Sequence, residues 1–281
     1  MTYKEYLKEI IKFAMREDLG DGDHTSLACF QKTDNGNARI FAKEAGVLAG
    51  VEVAKAVFKA YDKTIKLETF LVDGDNIGPG DEILSIKGNK RSILTAERTV
   101  LNFIQRMSGI ATKTHEYAET IQDTKARILD TRKTTPGMRM LEKEAVRIGG
   151  GKNHRFGLYD MIMLKDNHID FAGGIDKAIN MATKYIKEHE LNIPIEIEVR
   201  NFEELDQVLN SEKVDRVMLD NFTVEDTKRA VQIVNGRIEI ESSGGITLDN
   251  VRAYAETGVD FISVGSLTHH IKSLDISLYV V

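Results

Sequence analysis

Residues 130–169 read DTRKTTPGMRMLEKEAVRIGGGKNHRFGLYDMIMLKDNHI. This one stretch gathers Arg132, Lys133, Arg139, Lys143, Arg147, Lys152, His154, Arg155, Lys165 and His168 in a chain whose formal net charge is -6. Such a local excess of cations calls for an anionic ligand. An arginine fork matches a carboxylate or phosphate bidentately and a lysine acts as a mobile point charge, so the mixture suits a ligand with several negative groups. His154 alone reads equally well as a hydrogen-bonded structural histidine, but its place between the triple glycine 149–151 and Arg155 favours a ligand contact.

Two small-residue stretches, SSGG at 242–245 and VGS at 264–266, fit phosphate loops, because glycine lets the backbone approach an anion closely. Glu198 and Asp220 supply the acids. Carboxylates in such places bind ribose hydroxyls, hold Mg²⁺ with a substrate's phosphates, or move protons, and the residues leave all three open. Lys165 raises a competing chemistry, Schiff-base capture of a carbonyl by a desolvated lysine. That chemistry gives no reason for Arg98, Arg132, Lys133 and Arg155 together.

These residues need elements to position them. After about residue 125, short apolar runs alternate with polar turns and helical segments: 126–129, 161–164, 193–197, 214–219, 238–240 and 261–264. Each run ends in reactive residues, namely Asp130 to Lys133, Lys165 to Asn167, Glu198, Asp220-Asn221, Glu241 to Gly245, and Gly265-Ser266. Repeated strand–loop–helix units predict a (β/α) barrel, which collects chemistry at the C-terminal ends of its strands. Six strands fall short of eight, so the barrel is expected to be incomplete or irregular.

The first part of the chain has another rhythm. Tyr6, Leu7, Ile10, Ile11, Phe13 and Ala14 predict one apolar face on an opening helix that Gly20 ends. The acidic loop 17–23 lacks calcium-loop spacing and reads as a solvated turn before a Thr25/Ser26 cap. From residue 38 to 94, short β-type runs separated by Gly, Asp and Pro79 predict a small α+β domain with an antiparallel sheet. TAERTVLNFIQRM at 95–107 predicts a helix closed by Ser108-Gly109, with Arg98 and Arg106 two turns apart, a spacing that by itself suggests surface salt bridges.

Composition narrows the class. Hydrophobic residues at 42% and charged residues at 29% of 281 positions are ordinary for a globular chain with a sizeable core. An acidic balance argues against bulk nucleic-acid binding. Cys29 is the single cysteine, and no Cys/His cluster has zinc spacing, which fits a reducing cytoplasm. The N-terminus lacks a signal-peptide core and no apolar stretch is long enough for a membrane span, so a soluble cytoplasmic protein is expected.

The blocks EDLGDGDHTS, ERTVLNFIQRMSGIAT, DTRKTTPGMR, VRIGGGKNHRFGLYDMIMLKDNHI, IEVRN, VMLDNF, ESSGGI and ISVGSLTHH resemble the quinolinate phosphoribosyltransferases, also called nicotinate-nucleotide pyrophosphorylases (carboxylating). The resemblance covers nearly the whole chain. It implies an α/β fold: an open-faced α/β sandwich over 1–112, completed by 268–281, and an incomplete (β/α) barrel over 113–267 that holds the active site. It also implies a homodimer in which Arg98 of one subunit reaches the barrel mouth of the other.

The implied reaction joins quinolinate to 5-phosphoribosyl-1-pyrophosphate with Mg²⁺, releasing pyrophosphate and CO₂ and leaving nicotinate mononucleotide for NAD synthesis. The two carboxylates of quinolinate are assigned to Arg98, Arg132, His154, Arg155 and Lys165, with Thr131 beside them. The 5′-phosphate is assigned to Ser243, Gly244, Gly245, Val264, Gly265 and Ser266, and pyrophosphate to Lys133. Glu198 and Asp220 face the ribose hydroxyls or Mg²⁺. The catalytic work thus falls to Lys133, Lys165, Glu198 and Asp220.

Overall fold

The computed structural model of the chain describes residues 1–211 and 213–281. It divides into two compact units. The first comprises Met1–His115, Thr134–Gly150 and Leu267–Val281, and the second Glu116–Lys133 and Gly151–Ser266.

Strands are numbered in chain order. In the first unit β1 (Asn35–Ala42), β3 (Lys66–Thr69), β5 (Glu82–Asn89) and the C-terminal β12 (Ile276–Val280) form a four-stranded antiparallel sheet in the order β12-β1-β5-β3. The short β2 (Gly46–Val47) and β4 (Asn76–Ile77) pair separately. Along β1, Ala38, Ile40 and Ala42 are buried while Asn37 and Arg39 are exposed, the period-two pattern of a sheet with one face against a core.

The expected β-type runs of 38–94 are interrupted by a helix, Val51–Tyr61, which buries Val51, Val53, Ala54, Val57 and Phe58. Its valines favour strand locally, but burial of one helical face outweighs that preference. Gly50 starts this helix at φ 100°, against the Ile104 backbone and the Met107 side chain.

The opening helix runs Tyr3–Leu19 between a Thr2/Glu5 capping box and Gly20. Ile11 is its buried residue, whereas Phe13 lies 55% exposed. The next helix, His24–Cys29, is capped by Asp23, which accepts from the Ser26 amide, rather than by Thr25 or Ser26.

The helix expected at 95–107 spans Lys90–Thr120 and continues through Ser108-Gly109. Those two residues serve packing instead of termination. Ser108 Oγ accepts from the Ala49 amide at 2.9 Å and donates to the Ala49 carbonyl at 3.1 Å, and a Cβ on Gly109 would collide with the Lys272 carbonyl. Gly149 meets the Ala111 carbonyl of the same helix in the same way.

Arg106 makes no surface bridge. Its Nε and Nη2 lie 2.8 and 2.6 Å from Oε1 of Glu142, which is fully buried, and Lys143 beside it is buried too.

The second unit is a six-stranded parallel sheet ordered β6-β11-β10-β9-β8-β7. Its strands are β6 (Arg127–Leu129), β7 (Ile162–Leu164), β8 (Ile195–Val199), β9 (Arg216–Asp220), β10 (Glu239–Ser243) and β11 (Phe261–Ser263), one for each apolar run read from the sequence. Beyond β6 the pairing extends only as an isolated bridge to Lys152, so the sheet is a barrel left incomplete.

Ile128, Ile197, Leu219 and Ile262 are buried on one face, and the strands alternate with the helices Asp166–Ala172, Ile175–Glu188, Phe202–Leu209, Val224–Val234 and Leu248–Glu256. Successive strand residues point to opposite faces, so Glu196, Glu198, Met218, Asp220, Glu241 and Ser243 line the other side. Among the described residues, no helix is long and apolar enough to cross a membrane.

Candidate active site

The expected site residues other than Arg98, His154 and Arg155 lie at the C-terminal ends of the parallel strands, or just beyond them; His154 and Arg155 follow the isolated bridge residue Lys152. Thr131, Arg132 and Lys133 follow β6, and Lys165 follows β7. Glu198, Asp220 and Ser243 lie inside the last turn of pleat of β8, β9 and β10, one or two residues earlier than the loop positions that the sequence suggested. Gly244-Gly245 leave β10 and Val264–Ser266 leave β11; the two strands are neighbours, so the two loops emerge side by side.

The SSGG loop shows why glycine is needed. Gly244 has φ 94° and Gly245 φ 61°, and a Cβ on Gly244 would strike the side chain and amide of Asn221. Asn221 itself is left-handed at φ 55°, donates its amide to the Ser243 carbonyl at 2.9 Å and its Nδ2 to Asp220 Oδ2 at 2.8 Å. The Val264 amide donates to the Leu129 carbonyl at 2.9 Å, which joins the phosphate-type loop to the strand that carries Arg132.

Lys165 Nζ lies 2.8 Å from Glu198 Oε2, with the lysine side chain 44% exposed. An ammonium held by a carboxylate at a partly open site is not the desolvated amine of a Schiff-base enzyme. Arg132 and Lys133 are exposed, whereas Arg155 is half-buried and donates Nη1 to the Met161 carbonyl. Burial holds the Arg155 guanidinium below its usual range, and the neighbouring positive charge of Arg132 adds to this. Two like charges set this close suit an anion, which would offset their repulsion.

The rest of the 130–169 cluster has local duties. His168 accepts the Lys165 amide at the start of its helix, Arg139 donates to Thr134, and Arg147 pairs with Glu144. Arg98 sits exposed on the long helix of the first unit and makes no ion pair among the described residues.

His154 is the residue expected to touch a substrate carboxylate beside Arg155. Its ring is buried, with Nε2 3.0 Å from Glu196 Oε2 and 3.3 Å from Glu241 Oε2, and its Nδ1 accepts the Arg155 amide at 2.6 Å. Arg216 lies 3.4 Å from Glu241 and stacks 4.1 Å from the centre of the Phe261 ring.

Burial pushes Glu196 up to about 7, with the charge of Glu241 adding to it. Burial opposes a charge on His154, but Glu196 and Glu241 outweigh it and favour an imidazole raised to about 9. A doubly protonated ring has no lone pair for the Arg155 amide, so the hydrogen-bond geometry decides for a single proton on Nε2.

Glu196 and Arg216 escaped the sequence reading. The signal for the first was the alternation in IEIEV, where acids at every second position of a buried strand must share one face.

Glu198 and Asp220 lie on adjacent strands, with Glu198 in register with Met218 two residues before Asp220. Two carboxylates one step apart at a mouth lined with phosphate-type loops suit Mg²⁺, which takes few protein ligands and completes its shell with phosphate oxygens and water.

Comparison with known proteins agrees with this arrangement. The family "Quinolinate phosphoribosyl transferase, N-terminal domain" matches residues 23–108, and "Quinolinate phosphoribosyl transferase, C-terminal domain" matches 110–279. The chain is 43% identical over 274 residues to the probable nicotinate-nucleotide pyrophosphorylase (carboxylating) of Bacillus subtilis, covering 98% of this chain and 93% of that one. It is 44% identical over 289 residues to quinolinate phosphoribosyltransferase (decarboxylating) 2b, mitochondrial, of Nicotiana tabacum, covering 98% and 82%. The solved nicotinate-nucleotide pyrophosphorylase of Francisella tularensis superposes with a TM-score of 0.94 at 42% identity, covering 100% of this chain and 98% of that one. The chain therefore belongs to the quinolinate phosphoribosyltransferase family.

Proposed function

We propose that the chain transfers the phosphoribosyl group of 5-phosphoribosyl-1-pyrophosphate to quinolinate and releases CO₂, giving nicotinate mononucleotide and pyrophosphate in NAD biosynthesis. The observation that carries this reading is the gathering of Arg132, Lys133, Arg155 and Lys165 with Glu198, Asp220 and two glycine/serine loops at one end of a single parallel sheet. A sugar monophosphate would use the loops and leave the arginines unexplained. A dicarboxylate and a pyrophosphate use them all.

In this reading Arg132, Arg155 and Lys165 grip the two carboxylates of quinolinate and aim its ring nitrogen at the anomeric carbon of the donor. Ser243, Gly244, Gly245, Val264, Gly265 and Ser266 hold the 5′-phosphate. Lys133 stabilises pyrophosphate as the bond to the anomeric carbon breaks, and Glu198 and Asp220 hold the ribose hydroxyls while positive charge develops on the sugar. The nitrogen lone pair then forms the new bond. The resulting cationic ring accepts the electron pair left when the adjacent carboxylate departs as CO₂, and a proton takes its place. Glu198 and Asp220 would also hold Mg²⁺, whose charge would offset that of the pyrophosphate.

Arg98 is proposed to complete the site from the second subunit of a homodimer, since it is exposed and makes no ion pair among the described residues. A cytoplasmic location rests on the free, exposed Cys29, which suits a reducing compartment. Cell fractionation checks that location.

The test is formation of nicotinate mononucleotide from quinolinate, the phosphoribosyl donor and Mg²⁺. No product, or equal use of nicotinate, refutes the reading.

A further inference from the structure

Beneath the cationic mouth the second unit contains a closed polar layer that the reaction as described does not use. Glu196 and Glu241 are fully buried, His154 is 7% exposed, and Arg216 is half-buried. The layer joins both cationic loops. On one side, His154 Nε2 lies between Glu196 Oε2 and Glu241 Oε2. On the other, its Nδ1 accepts the amide of Arg155, and its own amide donates to Asp130 Oδ1 at 2.8 Å.

Asp130 is fully buried and immediately precedes Thr131, Arg132 and Lys133; its amide donates to the Lys152 carbonyl. A single imidazole thus stands between the backbone that carries Arg132 and the backbone that carries Arg155.

The direction of each bond fixes the role of the ring. Nδ1 accepts, so it bears no proton, and the proton sits on Nε2, which faces Glu196 Oε2 at 3.0 Å and Glu241 Oε2 at 3.3 Å. Neither nitrogen is left for a substrate carboxylate.

We propose that His154 is a positioning residue: Glu196 and Glu241 lock its ring, and the locked ring with Asp130 sets Arg155 in register with Arg132 as a paired receptor for the two carboxylates of quinolinate. Arg216, braced on Phe261 and on Glu239 at 2.8 Å, fixes Glu241 in turn. The inference rests on the proposed quinolinate reading for what the arginines hold, but the state of the ring is independent of it. Misplacement of a binding group by about 1 Å costs on the order of a hundredfold, so a loosened brace has a measurable effect without any change in a substrate-touching residue.

The deciding measurement is ¹⁵N NMR of the full-length protein labelled at histidine. The expected spectrum assigns His154 a bare Nδ1 and a protonated Nε2, unchanged in character when quinolinate is added. Protons on both nitrogens, or a bare Nε2, overturn the proposal whether or not the protein turns over quinolinate.

Kinetics form the second arm. Glu196→Gln and Glu241→Gln are expected to raise KM for quinolinate by about tenfold, with KM for the phosphoribosyl donor changed less than about twofold. His154→Asn, which keeps an acceptor near the Nδ1 position, is expected to retain more quinolinate affinity than His154→Gln, which does not. Equal changes in both KM values, or a lower Tm with neither KM changed, overturn the proposal in favour of a purely structural layer. Absence of product from the unaltered protein sinks the proposed reaction and leaves the NMR arm to decide the ring.

Discussion

Replacing Glu142 by glutamine tests the buried pair that anchors residues 134–150 within the first unit. Oε1 of Glu142 receives Arg106 Nε and Nη2 at 2.8 and 2.6 Å, and Oε2 receives the Thr135 amide at 3.0 Å. Arg106 also donates to Thr135 Oγ1 and the Thr268 carbonyl, so three separate stretches of chain meet at one ion pair. Glutamine has the same shape but only one acceptor oxygen. Whichever way its amide turns, an NH₂ faces either the guanidinium or the Thr135 amide.

Breaking a buried ion pair costs about 3–5 kcal/mol, because the partner charge is left without compensation. Arg106 is 28% exposed in its side chain and keeps two other acceptors, which places the loss near about 3 kcal/mol. Equilibrium urea unfolding measures it as a lower midpoint at unchanged slope. The double variant Arg106→Met with Glu142→Gln removes the stranded charge and is expected to recover part of the loss. A cost below about 1 kcal/mol for Glu142→Gln, or a double variant less stable than the single one, refutes the reasoning.

Gly149→Ala is expected to cost about 3 kcal/mol or more by the same denaturant assay, because the added Cβ meets the Ala111 carbonyl, and its backbone φ of -74° makes the effect purely steric. Asp73 accepts the Val51 amide at 2.8 Å, and burial raises its carboxyl above the usual range. Its contribution to stability is therefore complete below the unfolded value and is lost as pH rises through the folded one. Asp73→Asn keeps an acceptor and should be more stable than the parent at neutral pH, with the advantage shrinking in acid; an advantage that grows in acid contradicts the assignment. Chelation of divalent metal is expected to stop nicotinate mononucleotide formation and Mg²⁺ to restore it, and full activity in excess chelator rejects a metal role for Glu198 and Asp220. Arg98→Ala and Arg155→Ala should each lose quinolinate affinity, and mixing the two inactive proteins should return part of the activity through hybrid dimers; no recovery rejects a site shared between subunits.

What the sequence made legible, and what it hid, divides along a physical line. The six strands of the second unit were readable because parallel strands covered by helices demand continuous apolar runs, and their reactive ends were readable because such folds place polar residues at that rim. The failed expectations at Ser108-Gly109 and Arg106 concern residues whose job is set by a distant partner. Ser108-Gly109 looks like a helix terminus until the Ala49 backbone and the Lys272 carbonyl are brought against it. Arg106 looks like surface charge until Glu142 arrives from the segment that packs back onto the first unit.

His154 is a related case, since its residue type and its neighbours argue for a substrate contact and say nothing of what lies beneath the ring. Only the approach of Glu196 and Glu241 from two other strands reveals the direction of the ring. Yet IEIEV already placed two acids on one face of a buried strand, and a fully buried acid requires a donor. His154 and Arg216 stand near enough in the assembled sheet to meet that demand. The alternation of charge in a strand that should be apolar was thus the readable trace of a support layer, and it pointed to the brace beneath the binding residues rather than to the binding residues themselves.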